Sequence, residues 1–192
     1  MRFYGSVPSD FGEVRVVWGH DEGGVRVHRV FLPGTDTSAT ELAEAFYPDA
    51  SGGYHPTVAN LVDGMARFLK GEPVFFDVSL LALDRCTDFQ RRVLLAEREI
   101  PRGWVSTYGR IARHLGVPGG ARAVGNALAR NPFPILIPCH RAIRADGRLG
   151  GFQGGCGMKR ALLTLEGVAV SEDGRALTDR FATERWAGAG DA

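Results

Sequence analysis

The stretch Ile135-Leu136-Ile137-Pro138-Cys139-His140-Arg141 constrains this 192-residue chain more than any other. An apolar run closed by Pro138 delivers a cysteine directly into two basic residues. A run this short reads as a buried strand or extended segment. Pro138 has no N–H and resists helix, so Cys139 is expected on a rigid turn. A free thiol ionises near pH 8.5, so only a few per cent is thiolate at neutral pH, to order of magnitude. Neighbouring positive charge lowers that value, and the thiolate is the nucleophile. The same residues also fit a buried, inert cysteine, because Cys is among the most buried residue types.

Charge is unevenly spread around this stretch. Residues 1–100 carry 10 Lys/Arg against 15 Asp/Glu, residues 101–170 carry 10 against 2, and the remainder 3 against 5. A basic segment between acidic ones points to an anionic partner for the middle of the chain. No stretch approaches the roughly 18 consecutive apolar residues of a membrane span. The first residues show no apolar leader. Cys86, Cys139 and Cys156 are odd in number and lack metal-ligand spacing, which fits a reducing cytosol. The expected location is cytoplasmic or nucleoid-associated, or nuclear in a eukaryote, with no membrane contact.

The predicted fold is a small α/β N-terminal domain, an antiparallel sheet with helices, before a mainly α C-terminal domain. The domain bounds are 1–80, 81–170 and a tail over 171–192. Residues 3–7, 13–18 and 24–32 are β-rich, and 20–24 suits a hairpin connection. Ser38 with Glu41 forms a capping box. Pro56 opens a second helix, with Gly71 after its end. His20, His28 and His55 are scattered and read as structural. Residues 73–84 read as an extended link. Thr87 with Gln90 caps a helix carrying Phe89, Val93 and Leu94. Ser106 is expected to cap a helix over 107–115, and another follows over 121–130, ending before Asn131-Pro132. Two short helices around Val117-Pro118-Gly119-Gly120 have the form of a helix-turn-helix, and Arg110, Arg113, Arg122 and Arg130 lie on it. The small residues of the second helix suit close approach to a partner, and equally suit helix–helix packing. Residues 145–147 form a turn, 149–155 a Gly-rich loop without P-loop chemistry, and 158–166 a helix.

Six motifs occur in one order at compact spacing. They are Thr107-Tyr108-Gly109, Arg122-Ala123-Val124-Gly125, Asn131-Pro132, Pro138-Cys139-His140-Arg141, Gly150-Gly151-Phe152 and Leu163-Thr164-Leu165-Glu166-Gly167. Together they make residues 85–168 resemble the methylated-DNA–protein-cysteine methyltransferases, the O6-alkylguanine-DNA alkyltransferases. The resemblance implies a monomer that binds double-stranded DNA bearing O6-alkylguanine in the minor groove and flips the base. Cys139 would take the alkyl group in one irreversible turnover, with no cofactor and no metal; O4-alkylthymine stays open as a substrate.

The resemblance also implies residue roles. Cys139 is the nucleophile, His140 its base, Glu166 the partner of His140, and Asn131 the residue holding the turn. Tyr108 turns a phosphate and donates to the purine. Pro134 and Phe152 wall the pocket, the Cys139 and Ala142 carbonyls accept from the guanine amino group, and Gln153 meets O6 through its backbone. Thr107, Tyr108, Arg122, Ala123, Gly125, Arg130 and Arg141 face DNA, Arg122 as the finger that fills the gap. Lys159 supports the thiolate or contacts phosphate. The sequence departs from the family after Val93 in Arg91-Arg92-Val93-Leu94-Leu95, where a tryptophan usually follows the valine, and in lacking convincing N-terminal zinc ligands. Three competing readings remain at this point: a damage-binding relative without transfer, a Cys–His hydrolase, and a helix-turn-helix regulator with a structural Cys139.

Overall fold

The computed structural model describes residues 1–182. It contains two compact units. The first comprises residues 1–85, 132–136 and 153–155; the second comprises 86–131, 137–152 and the chain from 156 onward.

The first unit is built on β1 (Arg2–Val7), β2 (Val14–Asp21) and β3 (Gly24–Phe31). Asp21 pairs with Gly24 across a two-residue turn, and a bulge at Val17/Trp18 shifts the register. Helix α1 (Ala39–Phe46) starts at Ser38, whose hydroxyl accepts from the Glu41 amide while the Glu41 carboxylate accepts from the Ser38 amide. That reciprocal cap is worth about 1 kcal/mol. Two-residue strand β4 (Ser51–Gly52) pairs with β1 in parallel, giving the order β3-β2-β1-β4. The sheet is therefore mixed, not purely antiparallel. Alternating residues hid β4, because a two-residue strand in a Gly/Pro/Ser loop carries no period. Helix α2 (Pro56–Leu69) buries Val58, Leu61, Met65 and Phe68. Phe31 and Val17 pack with Ala39 and Ala43 beneath α1.

Residues 73–84 do not form an open link. Leu81 is buried and bridges Val27, and the Ala82 amide donates to the Val27 carbonyl. The segment extends the edge of β3 because its apolar residues find a cover there. His28 is buried and faces Asp21 at 3.3 Å, and His55 accepts from the Thr57 amide at the start of α2. Both are structural.

The second unit is mainly helical. Helix α3 (Asp88–Arg98) starts at Thr87, whose hydroxyl accepts from the Gln90 amide. The Gln90 side chain instead donates to the Ala127 and Arg130 carbonyls. It thereby fastens α3 to the end of α5 (Ala121–Ala129). Strand β5 (Ser106–Thr107) precedes α4 (Tyr108–His114), and the cap is Thr107, one residue later than expected. Ser106 is unavailable because it pairs with Ala142 of β6 (Ala142–Ile143). Gly116 at φ 73 ends α4 where a side chain would be strained. Helices α4 and α5 pack on each other and on α3.

Helix α6 (Gly155–Leu165) begins three residues before the predicted start. Residues 171–182 are no loose tail: β7 (Ala169–Val170) pairs with β8 (Ala176–Leu177), and Val105 exchanges hydrogen bonds with Arg180 and Ala182. Phe181 packs on the cluster of Val105, Ile143, Leu149, Leu163 and Val168. The rest of that predicted tail, 183–192, lies outside the described residues.

Candidate active site

The apolar run before the cysteine is buried, as its composition demands, but it is a turn and not a strand. Ile135 stands at φ 74, a conformation that costs a non-glycine residue about 1–2 kcal/mol. The Asn131 side chain, fully buried, donates to the Ile137 carbonyl at 3.2 Å. The chain then turns into a 3₁₀ helix, Cys139–Arg141, with the Arg141 amide on the Pro138 carbonyl. Pro138 makes the entry rigid, and β6 follows at once, pinned to β5. Cys139 is thus held at both ends by hydrogen-bonded backbone.

Three side chains form the heart of the site. His140 is fully buried, and its Nε2 lies 3.0 Å from Glu166 Oε1. Arg141 forks onto the same carboxylate, Nε to Oε2 at 2.8 Å and Nη2 to Oε1 at 2.7 Å, and its Nη1 donates to the Ile100 carbonyl. Burial would raise the Glu166 carboxyl. The adjacent His140 and the Arg141 fork overcome it and hold the group well below the carboxylate range. Burial holds His140 below its ordinary value despite Glu166. Glu166 is therefore the anion, Arg141 its counter-charge, and His140 neutral. A neutral imidazole beside a carboxylate must present its N–H there. The proton sits on Nε2, and Nδ1 carries the lone pair.

Cys139 does not stand ready as a thiolate, contrary to the expectation from its flanking cations. Burial pushes its thiol up to about 11; the Asn131 hydrogen bond and Lys159 pull only partly the other way. Arg141, the cation counted on from sequence, is neutralised by Glu166. Resting Cys139 is therefore a thiol that needs a proton acceptor.

The Arg141 guanidinium, expected to face DNA, is instead taken up inside the protein by Glu166 and the Ile100 carbonyl. Lys159 is fully buried, with Nζ donating to the Ala142 carbonyl at 2.6 Å and the Gly151 carbonyl at 3.4 Å, so it reaches no phosphate. Tyr108 opens α4 with Gly150 directly over its hydroxyl: a Cβ on Gly150 would lie 2.9 Å from that oxygen. Burial, then the nearby Glu97 and Cys139, push the phenol up to about 12, so it stays a donor. The Phe152 ring stands edge-on to His140 at 6.4 Å. Ala142 is buried. Pro134 and Gln153 belong to the first unit.

On α5 the buried side is Val124, Ala127 and Leu128. Arg122, Ala123, Asn126, Ala129 and Arg130 are exposed and Gly125 is half-buried. The small residues at 123 and 129 are thus not spent on helix packing. Thr107 is half-buried, its hydroxyl accepting from the Arg110 amide.

Sequence reasoning missed Glu97. It is fully buried on α3, in phase with Val93, Leu94 and Ile100. A carboxylate standing on an apolar stripe was the signal. Among the described residues no cluster of His, Cys, Asp or Glu is placed to hold a metal ion. No helix of the described residues is long and apolar enough to cross a membrane.

Residues 88–168 match the family described as the 6-O-methylguanine DNA methyltransferase DNA-binding domain. The methylated-DNA–protein-cysteine methyltransferase of Methanothermobacter thermautotrophicus is 39% identical over 158 residues, spanning 82% of this chain and 81% of the relative. That of Mycobacterium tuberculosis strain H37Rv is 50% identical over 105 residues, spanning 55% of this chain and 62% of the relative. The crystal structure of the M. tuberculosis O6-methylguanine methyltransferase superposes with a TM-score of 0.70 at 37% identity, covering 86% of this chain and 93% of that one. The same organism's protein in complex with DNA gives 0.69 at 36%, covering 85% and 92%. With this extent of identity over most of a full-length relative, the chain belongs to the methylated-DNA–protein-cysteine methyltransferase family.

Proposed function

We propose that the chain repairs duplex DNA by moving the alkyl group of O6-alkylguanine onto Cys139, once per molecule. The observation that carries this reading is the 3.0 Å approach of His140 Nε2 to the Glu166 carboxylate, from which the tautomer follows. Its Nε2–H is spent on Glu166, which leaves Nδ1 as the acceptor for the thiol proton, through a water because adjacent side chains diverge. The sulfur pair forms the S–C bond to the alkyl carbon, and the C–O6 bond breaks with its electrons passing to the purine. The thiol proton is returned to the purine, so guanine and a thioether remain. A thioether is a poor leaving group, and the protein is consumed.

The neighbouring residues fit the remaining roles. The protonated Tyr108 hydroxyl donates to the purine as it gains charge. The second lone pair of the Ala142 carbonyl and the Cys139 carbonyl are available to the guanine amino group. Phe152 walls the base. Arg122, Ala123 and Gly125 present a shallow face on α5, with Arg122 as the long cation that fills the gap left by the flipped base. Arg130 and Thr107 complete the DNA face. The reaction as written calls for no metal or cofactor, one protein chain suffices, and O4-alkylthymine is a second substrate to be tried.

Intact-mass measurement after mixing with O6-methylguanine duplex DNA tests the proposal. One added methyl, mapped to Cys139, is expected; repeated turnover or a methyl elsewhere would sink it. Arg122→Ala should slow repair of duplex DNA by about 10-fold or more, since filling the gap offsets a few kcal/mol of unstacking. Reaction with the free O6-alkylguanine base should hardly change. Equal losses on both substrates would remove the finger role.

A further inference from the structure

Glu97 lies outside the roles above, and its surroundings are unusual. It is fully buried on α3, and neither carboxyl oxygen has a hydrogen-bond partner of ordinary geometry. Helix α3 packs against the 3₁₀ helix that carries Cys139. The groups that face Glu97 electrostatically are Lys159 from α6, Arg141 and Cys139 from the 3₁₀ helix, and Tyr108 from α4. Arg141 is already matched by Glu166. Lys159 is fully buried too, and its Nζ donates to the neutral Ala142 and Gly151 carbonyls. An ammonium whose three protons seek acceptors fits that carbonyl cradle. A carboxylate in the same interior with no hydrogen bond of ordinary geometry, only the weak help of the Ala142 backbone, does not fit, because a poorly partnered buried charge is among the costliest features a fold can hold.

We infer that Glu97 is a positioning residue for the transfer step: as a neutral acid in a closed site with Lys159, it leaves the ammonium charge free to stabilise the Cys139 thiolate. Ionised, it would cancel that charge and add a second anion beside the sulfur. The inference deepens the transfer reading and rests on it for its purpose, but not for its test.

The charge states follow the same direction. Burial raises the Glu97 carboxyl to about 8, with Lys159, Arg141 and the Ala142 backbone pulling it down only in part. Burial lowers the Lys159 ammonium to about 8, opposed by Cys139 and Glu97. Below that pH the pair carries one net positive charge. Above it, loss of either proton removes the charge. The sign is fixed: raising the pH through about 8 makes the thiol harder to ionise, opposite to the ordinary gain of thiolate with pH.

The test uses the full chain without DNA. Cys139 alkylation by a small haloacetamide, mapped by peptide mass, is followed from pH 6 to 10 in the wild type and in Glu97→Gln. Glutamine mimics a neutral acid, so at pH 7 the variant should be alkylated at the wild-type rate within about twofold. An ionised Glu97 would hold the thiol up, and its removal would speed alkylation at pH 7 by about 10-fold, the factor for one unit of thiol pKa; that acceleration would overturn the inference. Because Glu97→Gln could fail to fold, the wild type is also titrated by infrared spectroscopy with 13C-labelled glutamate carboxyls. A protonated buried carboxyl band at pH 7 that fades above about pH 8 is expected, and a site ionised throughout would overturn the inference. Failure of methyl uptake from DNA with both of these results intact would instead count against the transfer reading.

Discussion

Cys139→Ser is expected to abolish methyl uptake from O6-methylguanine DNA while leaving the fold in place. Serine keeps the size and the turn, and Asn131 still fastens the Ile137 carbonyl. The hydroxyl is a far weaker nucleophile, and an unactivated one transfers nothing measurable. The Cys139 thiol, raised by burial to about 11, already lies near the limit of what a neutral imidazole can help ionise. Cys86 is half-buried and Cys156 exposed, both with intact thiols in the variant. Peptide mapping shows whether any methyl that still appears is on one of them. Intact-mass spectrometry separates the outcomes, and a thermal melt like that of the wild type shows the variant to be folded. Methyl uptake at the wild-type level would end the assignment of the nucleophile.

Glu166→Gln should lower the single-turnover transfer rate by about 10²–10⁴, the range that correctly placed general acid–base catalysis contributes. The change is nearly isosteric, so the effect is chemical. A glutamine amide can donate to His140 Nε2, which would place the imidazole proton on Nδ1 and destroy the acceptor. An analogous change in a serine protease triad acts through the same wrong tautomer. It also strips Arg141 of its counter-charge, and breaking one side of a buried pair costs about 3–5 kcal/mol. Stability should respond to pH in a defined sense. Glu166 is held below its unfolded value, so its stabilisation is complete above the ordinary carboxylate range and is lost as the pH falls through its folded value. The wild-type melting temperature should therefore fall more steeply in acid than that of the variant. Stopped-flow transfer assays and melts from pH 2 to 7 read both effects. An unchanged rate would free His140 from the role given to it.

Much of the second unit was legible in the sequence because its signals are local. Thr87 and Gly116 mark helix ends through groups within a few residues, and Pro138 fixes the chain entering the cysteine turn. The motif set from Thr107 to Gly167 brought the family into view. The misreadings share one cause. Ser106 looks like a cap until its backbone is claimed by Ala142, 36 positions further on, with Thr107 taking the cap instead. Residues 73–84 look like a link until Leu81 finds Val27. Arg141 looks like a free cation until Glu166 closes on it.

Charge states divide the same way. Which residue types surround the sulfur is written in the chain: a histidine beside it and a glutamate 27 residues on. Whether the sulfur is a thiolate is not, because the answer depends on how much water the packing removes. Burial outweighs the adjacent cations at Cys139, silences His140 as a cation, and raises the carboxyl of Glu97. The sequence by itself determined the helix ends marked by local signals, the rigid Pro138 entry to the cysteine, and the set of chemical groups. The tertiary structure decided which of those groups are charged, since desolvation and distant partners exist only once the chain has closed on itself.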